Sequence, residues 1–269
     1  MGDDDTRFDG SAPPPTRRSL AAQLTELGVR PGSVLLVHSS VKALGWVVGG
    51  PVAVVRALLD ALGPDGTLVV PTHTPENSDP AGWSNPPVPQ SWWPVIREHM
   101  PGFEPAVSPS RWMGVVPELV RCWPGALRSN HPQVSFAAVG PAAASIVGGH
   151  RLDDMLGETS PVGRVYTVDG DILLLGAGHS TNSSLHLAEY RVPEPIRGRQ
   201  GAAVLDPSGG GRWQWWDDIA VDEGDFQTLG DAFDATGRVR VGPVGAAQSR
   251  LMRARDAVDF AVDWMRRHR

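Results

Sequence analysis

The first quarter of the chain switches between two hydrophobic periodicities. Leucines recur at helical spacing across residues 17–28 and stop at a glycine, which predicts a helix. Residues 33–38 and 67–71 are short, nearly continuous apolar runs and predict buried strands. Between them, residues 51–62 place their apolar side chains on one helical face and begin with a proline. This order of strand, loop, helix and strand indicates an α/β fold whose sheet is covered on both faces.

One long irregular segment interrupts the remaining apolar patterns. Residues 72–109 are rich in proline, asparagine, serine and tryptophan, so we expect an ordered, ligand-facing loop without regular structure. The run 172–175 is apolar at every position and predicts a central strand. Further helices are predicted over 115–123, from 141 onward, over 160–170 and over 247–265, and further strands over 134–139, 202–205 and 212–216. We expect a single domain over residues 17–269, preceded by a disordered, acidic and proline-rich tail at 1–16.

Composition is typical of a globular protein with a large core. The chain has 269 residues, of which 41% are apolar, and one cysteine, Cys122. A single cysteine excludes an intramolecular disulfide, and its place in a predicted helix favours packing over a nucleophilic role. No apolar run reaches the roughly 18 residues of a membrane span, and the N-terminal segment does not resemble a signal peptide. We therefore expect a cytoplasmic protein without a membrane partner.

The formal charge of −6 is concentrated in one segment. Residues 213–237 contain seven acids and neither lysine nor arginine, whereas the rest of the chain is close to neutral. The acids are Asp217, Asp218, Asp222, Glu223, Asp225, Asp231 and Asp234, and they follow the tryptophans Trp213, Trp215 and Trp216. We expect a structured acidic wall with aromatic platforms, which binds a polyamine or amino-sugar and repels nucleic acid. The alternative is a solvated charged face.

The sequence GAGHSTNSSLHLAE at 176–189 has the most specific chemical pattern. A predicted strand enters a turn of small residues and a helix capped at Asn182 or Ser183, where α/β sheets bind ligands. His186 and Glu189 are three residues apart and share a helical face, so the carboxylate can orient the imidazole as a general base. On spacing alone, a buried structural histidine beside a first-turn acid is the open alternative.

The loop after the first predicted strand is rich in serine and glycine. Ser39 and Ser40 follow the strand, and Gly45 and later glycines precede the helix. Free backbone N–H groups and the helix dipole at such a position suit a phosphate or pyrophosphate. The loop is not a P-loop, because Lys42 does not follow the required glycine pattern. Arg111 is either an additional charged clamp or a surface residue.

Three stretches together resemble the aminoglycoside 3-N-acetyltransferase family of antibiotic acetyltransferases. They are VHSSVKALGWVVGG, then PTHTPENSDPAGW with the later SNHPQVSFAAVG, then TSPVGRVYTVDGDILLLGAGHSTNSSLHLAE. The resemblance extends from Leu20 into the last predicted helix, and the third stretch is the most specific. It implies a three-layer α/β/α sandwich around a central mixed sheet, in a single domain that differs from the GNAT fold.

The resemblance also implies a reaction. The family transfers the acetyl group of acetyl-CoA to the 3-amino group of the 2-deoxystreptamine ring of drugs such as gentamicin, which gives antibiotic resistance. His186 matches the active-site histidine of the family. The implied mechanism is direct transfer in a ternary complex, with His186 as the general base, Glu189 as its orienting partner and no metal. The protein is expected to be a monomer or a homodimer.

Contacts to both substrates are implied as well. The pantetheine and pyrophosphate of the coenzyme are expected along Ser39, Ser40, Val41, Ala43, Leu44, Gly45 and Trp46, with Arg111 as a clamp. The cationic drug is expected among Glu76, Asp79, Asp153, Asp154, Asp217 and Asp218. Backbone N–H groups of the Ser39–Ser40 loop or a nearby hydroxyl are candidates for stabilising the oxyanion.

Two other functions remain open. One is a non-catalytic protein that sequesters cationic sugars. The other is a zinc-dependent hydrolase that uses His179, His186 and Glu189, although their spacing matches no zinc signature. A serine hydrolase is disfavoured, because the chain lacks a G-x-S-x-G sequence. The loop at 39–50 separates the transferase from these alternatives, since only a coenzyme A user requires it.

Overall fold

The computed structural model describes residues 13–269. Residues 1–12, most of the tail that we expect to be disordered, lie outside the described residues. Thr16 caps the first helix, since its hydroxyl accepts a hydrogen bond from the Ser19 N–H and its own N–H donates to the Ser19 hydroxyl. Within the described range, no helix is both long and apolar enough to cross a bilayer.

Seven strands form one mixed sheet at the centre of the fold. In spatial order they are β3 (Leu127–Arg128), β4 (Phe136–Val139), β2 (Thr67–Pro71), β1 (Val34–Ser39), β5 (Asp171–Leu175), β9 (Ala247–Arg253) and β8 (Arg240–Val244). β1 pairs in parallel with β2 and with β5, and the other pairings are antiparallel. The carboxyl ends of the three parallel strands therefore meet at one edge, where open α/β sheets bind ligands.

Helices cover both faces of the sheet, which confirms the predicted three-layer sandwich. One face is covered by α1 (Arg17–Leu27), α2 (Gly50–Leu62) and α4 (Val115–Arg121), and the other by α5 (Ala143–Val147), α6 (Pro161–Thr167), α7 (His186–Arg191), α8 (Phe226–Asp234) and α9 (Ala254–His268). Alternate residues of β1 enter the two cores: Leu35 packs under α1 and α2, and Leu36 packs on the opposite side. Both cores are apolar, which explains why the central strands are continuous apolar runs.

A long hairpin stands apart from the central sheet. β6 (Arg197–Leu205) and β7 (Gly211–Ile219) form a two-stranded antiparallel sheet, against which α3 (Trp93–His99) packs. The prediction of an irregular segment over 72–109 is therefore wrong for residues 93–99. Trp215, expected as a free aromatic platform, has the guanidinium groups of Arg97 and Arg199 at 5.3 and 4.6 Å from its ring centroid. These cation–π contacts hold α3 against the hairpin, so the ring already has partners within the protein.

The predicted helix over 247–265 is wrong in its first part. Residues 247–253 form β9, and α9 begins at Ala254. Ala247 and Leu251 are four residues apart, a spacing that places side chains on one face of a strand as well as of a helix. The turn at Gly245, whose φ is +59°, lets β9 return against β8, and pairing with β5 then fixes the segment as a strand.

Candidate active site

The carboxyl end of β5 leads into a histidine–carboxylate pair. Residues 179–185 form short 3₁₀ turns, and α7 begins at His186. His186 Nδ1 and Glu189 Oε2 form a hydrogen bond of 2.6 Å. An ionised carboxylate can only accept, so we assign the imidazole proton to Nδ1, which leaves a lone pair on Nε2. This is the geometry of an oriented general base.

Contacts from separate segments hold the pair in place. Glu189 is 3% exposed, and its second oxygen accepts a hydrogen bond of 3.0 Å from the Asp222 N–H. The His186 ring packs against Phe226, with centroids 4.6 Å apart. Asn182 caps the turn before α7 through its side-chain oxygen, in agreement with the sequence prediction. The orientation of the imidazole is therefore set by packing as well as by the carboxylate.

Gly176 brings the Ser39–Ser40 loop against the end of β5. Its φ is +63°, and a Cβ at this position would lie 2.9 Å from the Cβ of Ala43. This close approach allows the Ser40 N–H to donate to the Leu175 carbonyl at 2.9 Å. The Ser40 N–H is therefore not free to stabilise an oxyanion, and one of the donors suggested by the sequence is removed.

Both segments line one cavity of about 620 Å³ at the carboxyl ends of β1, β2 and β5. Its polar lining includes His38, Ser39, Ser40, His73, Asn182, His186 and Glu223, and its apolar lining includes Trp112, Met113 and Phe226. The cavity joins the candidate base to the loop that we expect to hold a coenzyme. A volume in this range suits a small-molecule site.

His38 and His73 are candidates that the sequence analysis missed. His38 lies near the end of β1 and His73 follows β2, and both line the cavity with His186. Burial lowers the pKa of each from 6.5 to about 3, so both imidazoles are neutral. Among the described residues, neither Nε2 atom has a hydrogen-bond partner. Their place at the carboxyl ends of two predicted strands was the signal that could have identified them.

The expected coenzyme contacts lie at different depths. Ser39 and Ser40 line the cavity, Val41 and Ala43 are half-buried, and Gly45 and Trp46 are exposed. The Leu44 side chain is fully buried in the core beneath α2, so it supports the loop from below. Arg111 is exposed and pairs with Glu76 at 3.2 Å, outside the cavity lining.

The six acids expected around a cationic substrate also lie outside the lining of this cavity. Glu76 pairs with Arg111, Asp79 with Arg97 and Asp153 with Arg151, Asp154 accepts from the Thr159 N–H, and Asp217 is exposed. Asp218 is 1% exposed, and its oxygens accept hydrogen bonds from the Met155 N–H, the Ile219 N–H and the Tyr190 hydroxyl. Burial raises the pKa of this carboxyl. Asp218 thus joins the hairpin to its neighbouring segments.

Part of the acidic window is built into the fold, but Asp217, Asp222, Glu223 and Asp231 are exposed, so the expected structured acidic wall stays a prediction. Asp225 pairs with Arg269 at 2.5 Å, and Asp234 pairs with Arg250 at 2.6 Å. Among the seven acids, Glu223 is the one that lines the cavity with His186. The arginine partners come from β9 and from the end of α9, which the local charge count does not include. The window therefore contributes one carboxylate to the cavity.

The structure shows the surroundings of two residues considered for other roles, His179 and Cys122. His179 packs against Gly230 and bonds Asp234 through Nε2 at 3.0 Å. Within residues 13–269, no group of three or more His, Cys, Asp and Glu side chains is arranged to hold a metal ion, so the zinc hydrolase has no ligand cluster there. Cys122 is predicted from the sequence to have a packing role and not a nucleophilic one; it is exposed at the end of α4 and lies outside the cavity lining, so the structure gives no support to burial.

The buried histidines predict a loss of stability on mild acidification. His38, His73 and His150 have a pKa lowered by burial to about 3, 3 and 4, below the ordinary 6.5. The unfolded chain therefore binds more protons below pH 6.5, and stability falls as the pH drops toward these values. Each imidazole lowers the free energy of unfolding by up to ~1.4 kcal/mol for each pH unit of acidification.

Urea unfolding measured between about pH 7 and about pH 5 detects this loss of stability. This pH interval lies above the range in which most carboxylates titrate. His150→Gln should show a shallower dependence, because one such imidazole is removed. The exposed His99 supplies the matched control, and His99→Gln should follow the wild type. Equal slopes in all three proteins would contradict the assignment.

The chain matches the family described as aminoglycoside 3-N-acetyltransferase over residues 36–266. It is 42% identical over 252 residues to the SPbeta prophage-derived aminoglycoside N(3')-acetyltransferase-like protein YokD of Bacillus subtilis (strain 168), with 93% of this chain and 92% of that protein covered. It is 36% identical to aminoglycoside N(3)-acetyltransferase VII of Streptomyces paromomycinus, with 96% of this chain and 93% of that protein covered.

Solved structures share the architecture. The crystal structure of YokD from Bacillus subtilis has a TM-score of 0.94 and 40% identity, with 97% of each chain covered. AAC-IIIb in a binary complex with CoASH has a TM-score of 0.83 and 33% identity, with 94% of this chain and 96% of that chain covered. AAC-VIa bound to sisomicin has a TM-score of 0.83 and 31% identity, with 94% of this chain and 98% of that chain covered.

Proposed function

This chain belongs to the aminoglycoside 3-N-acetyltransferase family, and on that basis we propose that it acetylates the 3-amino group of the 2-deoxystreptamine ring of an aminoglycoside. It is an acyltransferase, and acetyl-CoA is the acyl donor in this proposal. Acetylation converts a protonated amine into a neutral amide. The drug thereby loses one of the positive charges with which it binds its target, which is the basis of the proposed resistance.

The observation that carries this proposal is that His186, held by a 2.6 Å hydrogen bond to the buried Glu189, lines a cavity together with the Ser39–Ser40 loop. The ammonium group first loses one proton to solvent, and His186 Nε2 then takes a second proton from the neutral amine as its nitrogen attacks the thioester carbonyl carbon. Glu189 stabilises the imidazolium that forms. The carbon–sulfur bond then breaks, and His186 returns the proton to the sulfur of coenzyme A, so that the products are an amide and a thiol.

Direct transfer in a ternary complex is the second part of the proposal. The single cysteine, Cys122, lies at the exposed end of α4 and outside the cavity lining, so it is not placed to carry the acetyl group. One cavity contains both the base and the coenzyme loop, which allows both substrates to be held together. The acetyl group then passes between them without an enzyme-bound intermediate.

The cavity has unused polar atoms that fit an acyl thioester with an amide-containing arm. His38 Nε2, His73 Nε2 and Asn182 Nδ2 lack partners among the described residues, and the carbonyls of pantetheine require donors. Acetyl-CoA supplies the activated acyl carbon. The proposed coenzyme contacts are Ser39, Ser40, Val41, Ala43, Gly45 and Trp46, with Leu44 supporting the loop and Arg111 as a clamp from outside the cavity lining.

In this proposal, carboxylates attract the cationic drug both by direct contact and by longer-range electrostatic attraction. Glu223 lines the cavity and is the proposed direct partner of a drug ammonium group. The other expected acids lie outside the cavity lining, and in this proposal they act through the electrostatic field that they add to the protein surface, although three of the six are paired with arginines. These are Glu76, Asp79, Asp153, Asp154, Asp217 and Asp218.

Replacing Glu223 should weaken binding of the drug selectively. Glu223→Gln should raise the KM for the aminoglycoside about tenfold, equivalent to ~1.4 kcal/mol, and leave the KM for acetyl-CoA unchanged. Since salt screens the attraction, the wild-type KM for the drug should rise with ionic strength, and the rise should be smaller in the variant.

Steady-state kinetics in low and high NaCl measure both effects. Glu26→Gln is the matched control, because Glu26 is exposed on α1, away from the cavity. If the KM for the drug did not change with salt, the acids would form only a solvated charged face and would not attract the drug.

A thiol-release assay with acetyl-CoA and gentamicin tests the proposed function. We expect one thiol released for each drug molecule that gains an acetyl group, with the product identified by mass spectrometry. If the protein binds several aminoglycosides without releasing thiol, it is a sequestering protein and the enzymatic proposal fails.

A further inference from the structure

Glu189 has a third partner besides His186 and the Asp222 backbone, the guanidinium of Arg269. Its Oε2 bonds His186, and its Oε1 accepts from the Asp222 N–H at 3.0 Å and from Arg269 Nη1 at 2.5 Å. The carboxylate is 3% exposed, so water contributes little to stabilising its charge. A full positive charge therefore lies on the side of Glu189 opposite to the imidazole.

The arginine is itself held in one geometry. Its Nε and Nη2 donate to the two oxygens of Asp225 at 2.8 and 2.5 Å, and Nη2 also donates to the Asp222 carbonyl at 2.7 Å. The guanidinium carbon lies 5.9 Å from the centroid of the Phe226 ring, which also contacts His186. The hydrogen bonds to Asp225 are the main reason that the pKa of Arg269 is raised, so its guanidinium stays charged.

We propose that Arg269 is a positioning residue for the His186–Glu189 pair, because its guanidinium bonds Glu189 Oε1 and so holds the carboxylate in the rotamer that accepts from His186 Nδ1. The inference rests on the proposed function, since it assigns the pair a part in acetyl transfer. Arg269 is not among the residues that line the cavity, and its bond to Glu189 is its route to His186, so it acts through Glu189.

The loss of this cation would change the state of Glu189. A buried carboxylate that loses its cationic partner carries an uncompensated charge, and turning toward water relieves that cost. The carboxylate then no longer lies where it stabilises the imidazolium of His186. Substrate binding is made by other residues, so the effect falls on turnover. A lysine keeps the charge but lacks the planar fork that bonds Glu189 and Asp225 together.

Arg269→Met tests the proposal, with Arg267→Met as the matched control because Arg267 donates only within α9. We expect Arg269→Met to lower kcat about tenfold or more, with both KM values unchanged, and Arg267→Met to match the wild type. Arg269→Lys should recover part of kcat. This variant also serves if Arg269→Met does not fold.

The proton on His186 Nδ1 gives a readout that does not depend on activity. We expect a downfield NMR resonance in the wild type, assigned by its absence in His186→Ala and exchange-broadened in Arg269→Met. An unchanged resonance with unchanged kcat in Arg269→Met would overturn the proposal, as would a parallel loss of kcat in Arg267→Met. A wild type that acetylates no aminoglycoside refutes the proposed function, and the resonance alone then decides the positioning role.

Discussion

Replacing His186 with alanine should reduce kcat by at least about two orders of magnitude, because the proposed base that takes the amine proton is lost. Both KM values should change little, since the remaining lining of the cavity is intact. The thiol-release assay measures the effect directly. Thermal unfolding checks that the variant keeps its fold, because the imidazole also packs against Phe226, which is 1% exposed and belongs to the core.

A second substitution separates the charge of the pair from its hydrogen bond. Glu189→Gln retains an acceptor for His186 Nδ1 but removes the negative charge, so its kcat should lie between the wild type and His186→Ala. His99→Ala is the control, since His99 is exposed on α3. A turnover near the wild-type value in His186→Ala would mean that another group, with His38 or His73 as the first candidates, removes the proton.

Gly230→Ala should destabilise the fold by about 2–3 kcal/mol, although alanine is intrinsically about 1 kcal/mol better in a helix. A Cβ at this position would lie 2.0 Å from Cγ of His179. His179 is 1% exposed and is bonded to Asp234, so it cannot move away without losing that contact. The free-energy cost of the steric overlap is therefore larger than the gain from the better helix propensity of alanine.

Urea denaturation of a double-mutant cycle tests this conclusion. Gly230→Ala combined with His179→Ala should be no less stable than His179→Ala alone, because the clash is gone. Gly82→Ala is the control, since a Cβ there meets no atom within 4 Å, and it should stay within about 0.5 kcal/mol of the wild type. A Gly230→Ala protein as stable as the wild type would contradict the packing described for α8.

The α/β opening could be predicted because each element has a periodicity of its own. The strand predicted at 67–71 is β2 as observed, and the helix predicted at 51–62 is α2 with one more residue at its start. The failure at 247–253 has the opposite cause, since apolar residues four apart satisfy both a helix and a strand. Pairing with β5, remote in the sequence, then selects the strand.

The candidate site divides along the same line between local and distant information. His186 and Glu189 could be paired from spacing, because both lie on one short helix. The partners of Asp225 and Asp234 could not be predicted, because they reach the acidic window from α9 and β9. Counting charge along the chain therefore overestimated the free acid near the cavity. Arg269 was missed for the same reason.

The parallel pairing of β1 has a consequence for the rate at which the protein matures. Leu36 pairs with Val69 on one side and with Ile172 on the other, so β5 joins the sheet from far along the chain. Pairings over long sequence separations form slowly, because loop closure must precede the contacts that reward it. Helices on local sequence form earlier, but the cavity needs the end of β5 beside the Ser39–Ser40 loop. The complete cavity therefore cannot form before β5 has docked beside β1.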